Sequence, residues 1–161
     1  MGLDMYLTGS RYISGWEHRR EPEFDAVLKA AGLESSDVCQ GSPSMNLGLT
    51  IAYWRKANAI HAWFVKNCQD DVDECQKTHV EREKLEELRD ICVEIIDANT
   101  LNADWQGLAQ KLLPPESGFF FGSTDLDENY LDDLKQTIEQ LNRILANPRL
   151  KEMSFYYQSS W

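Results

Sequence analysis

A chain of 161 residues supplies material for one compact core and not for two. Its 27 acids against 16 bases leave a formal charge of −11, while 42% hydrophobic and 11% aromatic residues exclude a disordered acidic tail. The charge also excludes sequence-independent docking on DNA, RNA or anionic lipid, whose phosphates repel it, although one local pocket can still take a mononucleotide. The expectation is a single domain over residues 1–161.

The longest apolar runs, such as Leu47–Trp54, fall far short of the ~20 residues a membrane-crossing helix needs. Met1-Gly2 opens like an acylation signal, but Tyr6 stands where Ser or Thr is required. No Lys or Arg precedes Arg11, so a secretory leader is not expected. Cys39, Cys68, Cys75 and Cys92 are too few and too irregularly spaced for a disulfide scaffold, which points to reduced thiols in a cytoplasmic setting.

In chain order, Leu3, Met5 and Leu7 recur at period two and predict a strand over Leu3–Ile13, with a turn at Gly9-Ser10. Phe24, Val27, Leu28 and Ala31 predict a short helix stopped by Gly32. Ser35–Asn46, with its glycine, proline and four serines, reads as a loop. Leu47–Ala52 is expected as a strand leading into a helix over Tyr53–Asn67, with Tyr53, Ala57, Ile60 and Phe64 as its core stripe. Thr78-x-x-Glu81 has the form of a capping box ahead of a helix on Leu85, Leu88, Cys92, Ile95 and Ile96. A weaker helix over Ala103–Leu113 ends at Pro114-Pro115. A long amphipathic helix covers Asp127–Ala146 and stops at Asn147-Pro148. Ser154–Trp161 closes as a strand, with Phe155 and Tyr157 opposite Tyr156 and Gln158. Long helices without regular β-α-β alternation give an α+β class: three or four helices packed on a small, largely antiparallel sheet.

No P-loop, nucleophile elbow or dinucleotide fingerprint is present. His61, Cys68, Cys75 and His79 are zinc-type ligands, but they lack a knuckle spacing and read better as unrelated buried groups. The run Asp70-Asp71-x-Asp73-Glu74 lacks the glycine and distal glutamate of a calcium loop. Neither a metal nor a cofactor is expected. Gly122-Ser123-Thr124 precedes a helix start that favours an anion, although Asp125, Asp127 and Glu128 suit plain N-capping there.

The window Tyr53–Lys66 is the most informative. It holds no acid, and gathers two tryptophans, Arg55, Lys56, Asn58 and His61. One reading is a core helix whose Asn58 and His61 satisfy loop carbonyls. The other is a cleft wall with aromatics for stacking, Arg55 and Lys56 for an anion, and Asn58 and His61 for reading edges. Gly118–Thr124, with three consecutive phenylalanines, is either a strand buried on both faces or a stacking platform. The terminal Trp161 is most simply a packing anchor. The candidate ligand-binding residues are therefore Tyr53, Trp54, Arg55, Lys56, Asn58, His61, Phe120, Ser123 and Thr124.

At these residues a resemblance emerges. The MGLDMYL start, the YWRKANAIHAWF block of Tyr53–Phe64, the GFFFGST block of Gly118–Thr124 and the closing YQSSW together resemble a family of small bacteriophage-encoded proteins. Residues 14–46 are the part least like it. The resemblance implies a setting, the cytoplasm of an infected cell and the countering of host defence, and carries no mechanism.

Three functions compete. The first is a binding protein that sequesters a nucleotide-like immune signal. The second is a small enzyme on a nucleotide or phosphoester, with His61 as general acid/base, Arg55 or Lys56 stabilising charge and Asp4 orienting His61. The third is an acidic inhibitor that mimics nucleic-acid charge, since residues 67–100 hold eleven acids against four bases. The expected partner is a small nucleotide-like ligand. A homo-oligomer is compatible with the sequence, whereas non-specific nucleic acid and membrane are not.

Overall fold

A computed structural model describes residues 2–118 and 120–161. The chain folds as α+β, with a four-stranded antiparallel sheet in the order β2-β1-β4-β3. The strands are β1 (Asp4–Ser14), β2 (Ser44–Arg55), β3 (Thr78–Val80) and β4 (Ser154–Ser160). Among the described residues five α-helices accompany them: α1 (Pro22–Ala30), α2 (Asn58–Cys68), α3 (Arg82–Thr100), α4 (Trp105–Leu112) and α5 (Glu128–Ala146). The expected three or four helices are thus too few. The short segments hold as helices because each has its own start and anchor. Pro22 opens α1, which buries Phe24 and Leu28. The Asp104 carboxylate caps the Gly107 N–H of α4, which buries Ala109.

Two compact units are present, residues 1–9 with 50–161, and residues 10–49. In the larger unit the inward residues Leu3, Met5 and Leu7 meet Ala52 and Trp54 of β2, Val80 of β3, and Phe155 and Tyr157 of β4. Against them lie Ile60 and Phe64 of α2, the Leu85–Ile95 stripe of α3, and Leu131, Leu134 and Leu141 of α5. Phe64 stacks on Tyr157 with ring centroids 4.1 Å apart, so α2 is clamped directly to the sheet. Burial of most of its length follows from its composition. Among the described residues no helix is long and apolar enough to cross a membrane.

The smaller unit packs Ile13 against Phe24 and Leu28, with Val27, Val38, Met45 and Leu47 at the margin. Gly15 lies so close to the Phe24 ring that a Cβ would stand 2.5 Å from it, so no larger residue fits without displacing that ring.

Three local expectations are corrected. β1 runs straight through Gly9-Ser10 to Ser14 without a turn. Tyr53, Trp54 and Arg55 belong to β2 rather than to a helix. The alternation of buried Ala52 and Trp54 with exposed Tyr53 and Arg55 is that of a strand, and Thr50, Ile51, Tyr53 and Trp54 favour one. The chain leaves the sheet at Lys56, where φ is +59°, and α2 begins two residues later. Finally, Thr78 caps no helix. It pairs with Tyr157 in β3, and α3 starts after Glu81 with no side-chain cap.

Candidate functional site

In the larger unit two concavities meet near the α2 start, where Ala59 lines both. The larger, about 840 Å³, lies between α2, the end of α4 and residues 116–118 with 120–121. Its aromatic lining is His61, Trp63, Phe120, Phe121 and Trp161. Trp63 and Phe121 are nearly buried, whereas Trp161 is half exposed. The Phe121 ring meets His61 edge-on at 5.1 Å and Trp161 at 5.9 Å. Lys66 of α2 and Lys111 of α4 are exposed cations on this lining, with no ion pair among the described residues.

His61, 1% exposed, forms part of the cleft wall with both ring nitrogens engaged. Nδ1 lies 2.7 Å from the Tyr157 hydroxyl and Nε2 3.0 Å from Asp73 Oδ2. A carboxylate can only accept, so Nε2 carries the proton and Tyr157 donates to Nδ1. The other Asp73 oxygen accepts from the Trp161 indole N–H at 3.2 Å. Tyr157 is fully buried, and burial, with Asp73 close by, pushes its phenol well above the ordinary range. The chain of bonds therefore ends in a phenol that no substrate reaches.

Asn58 holds the segment that forms the opposite wall. Its amide donates to the Phe121 carbonyl at 3.2 Å and the Ser123 carbonyl at 2.7 Å, and its Oδ1 accepts from the Glu116 N–H at 3.2 Å. Three fixed backbone points position Phe120 and Phe121.

The smaller concavity, about 320 Å³, takes Arg55, Lys56, Asn58 and Ser123 together with Asp125, Asp127 and Asp133. Asp127 caps α5, accepting from the Asn129 and Tyr130 N–H groups, which hold its carboxyl below the ordinary range. Burial, then Asp132 and Asp127, pushes Asp133 up to about 6.

The nine sequence candidates therefore divide. His61 and Phe120 line the larger cleft, and Arg55, Lys56, Asn58 and Ser123 the smaller. Tyr53, Trp54 and Thr124 line neither. The Trp54 side chain is fully buried and donates from Nε1 to Thr137 Oγ1 at 2.9 Å. Tyr53 faces outward, 5.4 Å from the Tyr6 ring, and donates its hydroxyl to Asp4. Arg55 is 4.0 Å from the same carboxylate, so Asp4 is committed to Tyr53 and Arg55 rather than to His61. Phe119 lies outside the described residues. Phe120 and Phe121 form a turn, so the doubly buried strand expected there is not present in them.

Trp63, Phe121, Trp161, Lys66 and Lys111 complete the larger cleft without having been singled out as ligand residues. Trp161 stands out in sequence, where the choice lies between a stacking surface and, more simply, a packing anchor. Lys111, at the end of a short helix, carries no local signal at all.

Among the described residues no group of three or more His, Cys, Asp and Glu side chains is placed to hold a metal ion. Cys68 is half-buried and pushed up to about 11 by burial, which leaves it a poor thiolate ligand. The acids of α3 are partly offset by their own helix, with Glu87 on Lys84, Glu86 on Arg82 and Asp90 on Arg89. Compared with family models, curated proteins and solved structures, the chain matches none.

Proposed function

We propose that this chain is a small-ligand binding protein that takes up a nucleotide-like molecule in the larger cleft and sequesters it. The observation that carries the reading is the pairing of aromatic walls with two ammonium groups, Lys66 and Lys111, that have no ion-pair partner among the described residues. Rings such as Phe120 and Trp161 offer stacking surfaces, worth about 1–3 kcal/mol per base. The ammonium groups suit phosphate, and carboxylates on the same lining suit ribose hydroxyls. A volume of about 840 Å³ is in the range of sites that enclose a small ligand.

Binding is favoured over turnover by the state of His61. Both of its nitrogens are engaged, and its partner Tyr157 is buried. A general acid or base needs a nitrogen that faces the substrate. The likeness to small phage proteins supplies the setting: a protein that holds an immune signal without consuming it lowers the free signal by mass action.

Native mass spectrometry of protein purified from cells with active defence tests the proposal. The expected result is an adduct of nucleotide mass, released unchanged on heating. Recovery of a cleaved product alone overturns sequestration in favour of an enzyme. A bare protein that also binds no added nucleotide overturns the reading altogether.

A further inference from the structure

We infer that the cleft selects cyclic nucleotides, whose phosphates are diesters, over linear mono- and triphosphates; this rests on the nucleotide reading above and goes on to name the class of ligand. The basis is the charge on the lining, which Lys66 and Lys111 share with Asp71, Asp73, Glu87 and Glu116. Two of these four carboxylates are already committed. Asp73 gives one oxygen to His61 and the other to Trp161, and Glu87 holds the Lys84 ammonium at 2.8 Å. The partners of Asp73 are neutral, so its charge stands with those of Asp71 and Glu116 against Lys66 and Lys111, which make no ion pair among the described residues. The lining is therefore slightly negative on its own, in a chain that carries −11 overall.

Such a lining tolerates little added negative charge. A phosphomonoester brings about −1.5 to −2 at neutral pH because its second proton leaves near pH 6. A triphosphate brings more. A diester has no second proton to lose, so each phosphate brings a single charge that one ammonium matches. Lysine suits this, since its ammonium acts as a point charge and does not require the two-pronged geometry that arginine offers a terminal phosphate. Cyclisation also fixes the sugar and phosphate before binding, which lowers the ordering cost of enclosing them in a cleft. The ribose 2′-hydroxyl remains free in a 3′,5′-cyclic ring to donate to Asp71 or Glu116.

The test is calorimetric titration of the full chain with matched sets. These are the 3′,5′-cyclic monophosphates of the four common nucleosides, cyclic di-AMP and cyclic di-GMP, and the linear 5′-monophosphates and triphosphates of the same bases. At least one cyclic compound is expected to bind roughly tenfold or more tightly than its linear monophosphate, with the triphosphate weaker still. Lys111→Ala should weaken that cyclic compound. The double variant Asp71→Asn with Glu116→Gln should narrow the cyclic-to-linear ratio by improving the linear ligand. A linear nucleotide that binds as tightly as its cyclic form overturns the selectivity and leaves the nucleotide reading standing. A ratio unmoved by the double variant, in protein that melts normally, overturns its electrostatic origin. If no compound of any set binds, the nucleotide reading fails, and the selectivity with it.

Discussion

Gln140 brackets the backbone of Tyr53. Its side-chain oxygen accepts from the Tyr53 N–H at 2.9 Å, and its amide donates to the Tyr53 carbonyl at 3.0 Å. β2 is an edge strand, and such an edge offers unpaired backbone groups to any passing strand. Here α5 supplies what a fifth strand would, with Arg143 donating to the Ile51 carbonyl at 2.8 Å alongside.

Gln140→Ala is therefore expected to cost about 1 kcal/mol, because water replaces much of what is lost at an exposed edge. In a chain of this size that lowers the melting temperature by roughly 2–4 °C. Gln140→Glu should cost more, since its carboxylate keeps the bond to the N–H but faces the carbonyl with no donor. Calorimetric melts of the two variants decide it; equal melting temperatures would remove the edge-pairing account.

Trp54 separates core from site. It is fully buried, bonded to Thr137, and lines neither concavity. Trp54→Ala should cost about 3–5 kcal/mol, as truncations of large core aromatics do. Trp54→Phe should cost less, leaving Thr137 still donating to the Asp133 carbonyl at 2.7 Å. Neither should change ligand affinity in protein that remains folded. Titrations beside urea melts test this, and a weakened ligand with unchanged stability would return Trp54 to the site.

The amphipathic segments were legible because their periodicity is local. Leu3, Met5 and Leu7 marked β1, and Tyr130, Leu131, Leu134 and Leu141 marked α5, where all are buried. Where Tyr53–Asn67 was read as one helix, periodicity misled: aromatic and small residues at both strand and helix spacing fit either, and only pairing with β1 decides. β3 was invisible, since three residues carry no period and owe their form to β4. The candidate site was legible in its residue types but not in its grouping. His61 and Arg55 were expected on one helix, yet one lines the larger cleft and the other ends β2 beside the smaller. Lys111 reaches that cleft only because α4 is brought opposite α2, which nothing near Lys111 encodes.

Asp133 carries a pH dependence of definite sign. Burial, then Asp132 and Asp127, lifts its carboxyl from an ordinary 3.8 to about 6. Between those values the folded chain binds more protons than the unfolded, so this group's contribution to stability falls as pH rises through the window. Asp133→Asn should therefore stabilise the protein at pH 7 and change little below about pH 4. The quantity to plot is the difference in melting temperature between variant and parent, which cancels much of the opposite trend from Asp127, whose carboxyl is held low. A difference flat from pH 4 to 7 would contradict the raised value.

Asn58 gives the sharpest test of how the cleft wall is held. It is 5% exposed, and its amide reaches the Phe121 and Ser123 carbonyls while its oxygen reaches the Glu116 N–H. Asn58→Ala removes all three bonds, and each backbone group left without water should cost about 1–3 kcal/mol. Asn58→Asp keeps the shape and the bond to Glu116, but sets a carboxylate against two carbonyls. It should therefore be at least as damaging as alanine at pH 7, and partly relieved as the carboxyl takes a proton in acid. The loss should be local first. Amide hydrogen exchange should rise over residues 116–118 and 120–123 while the β1 and α5 amides stay protected. Ligand affinity should fall with it, because Phe120 and Phe121 are carried on that segment. Exchange that rises evenly across the chain would make Asn58 a general stabiliser, and exchange that does not rise at all would mean that the wall is held by something else.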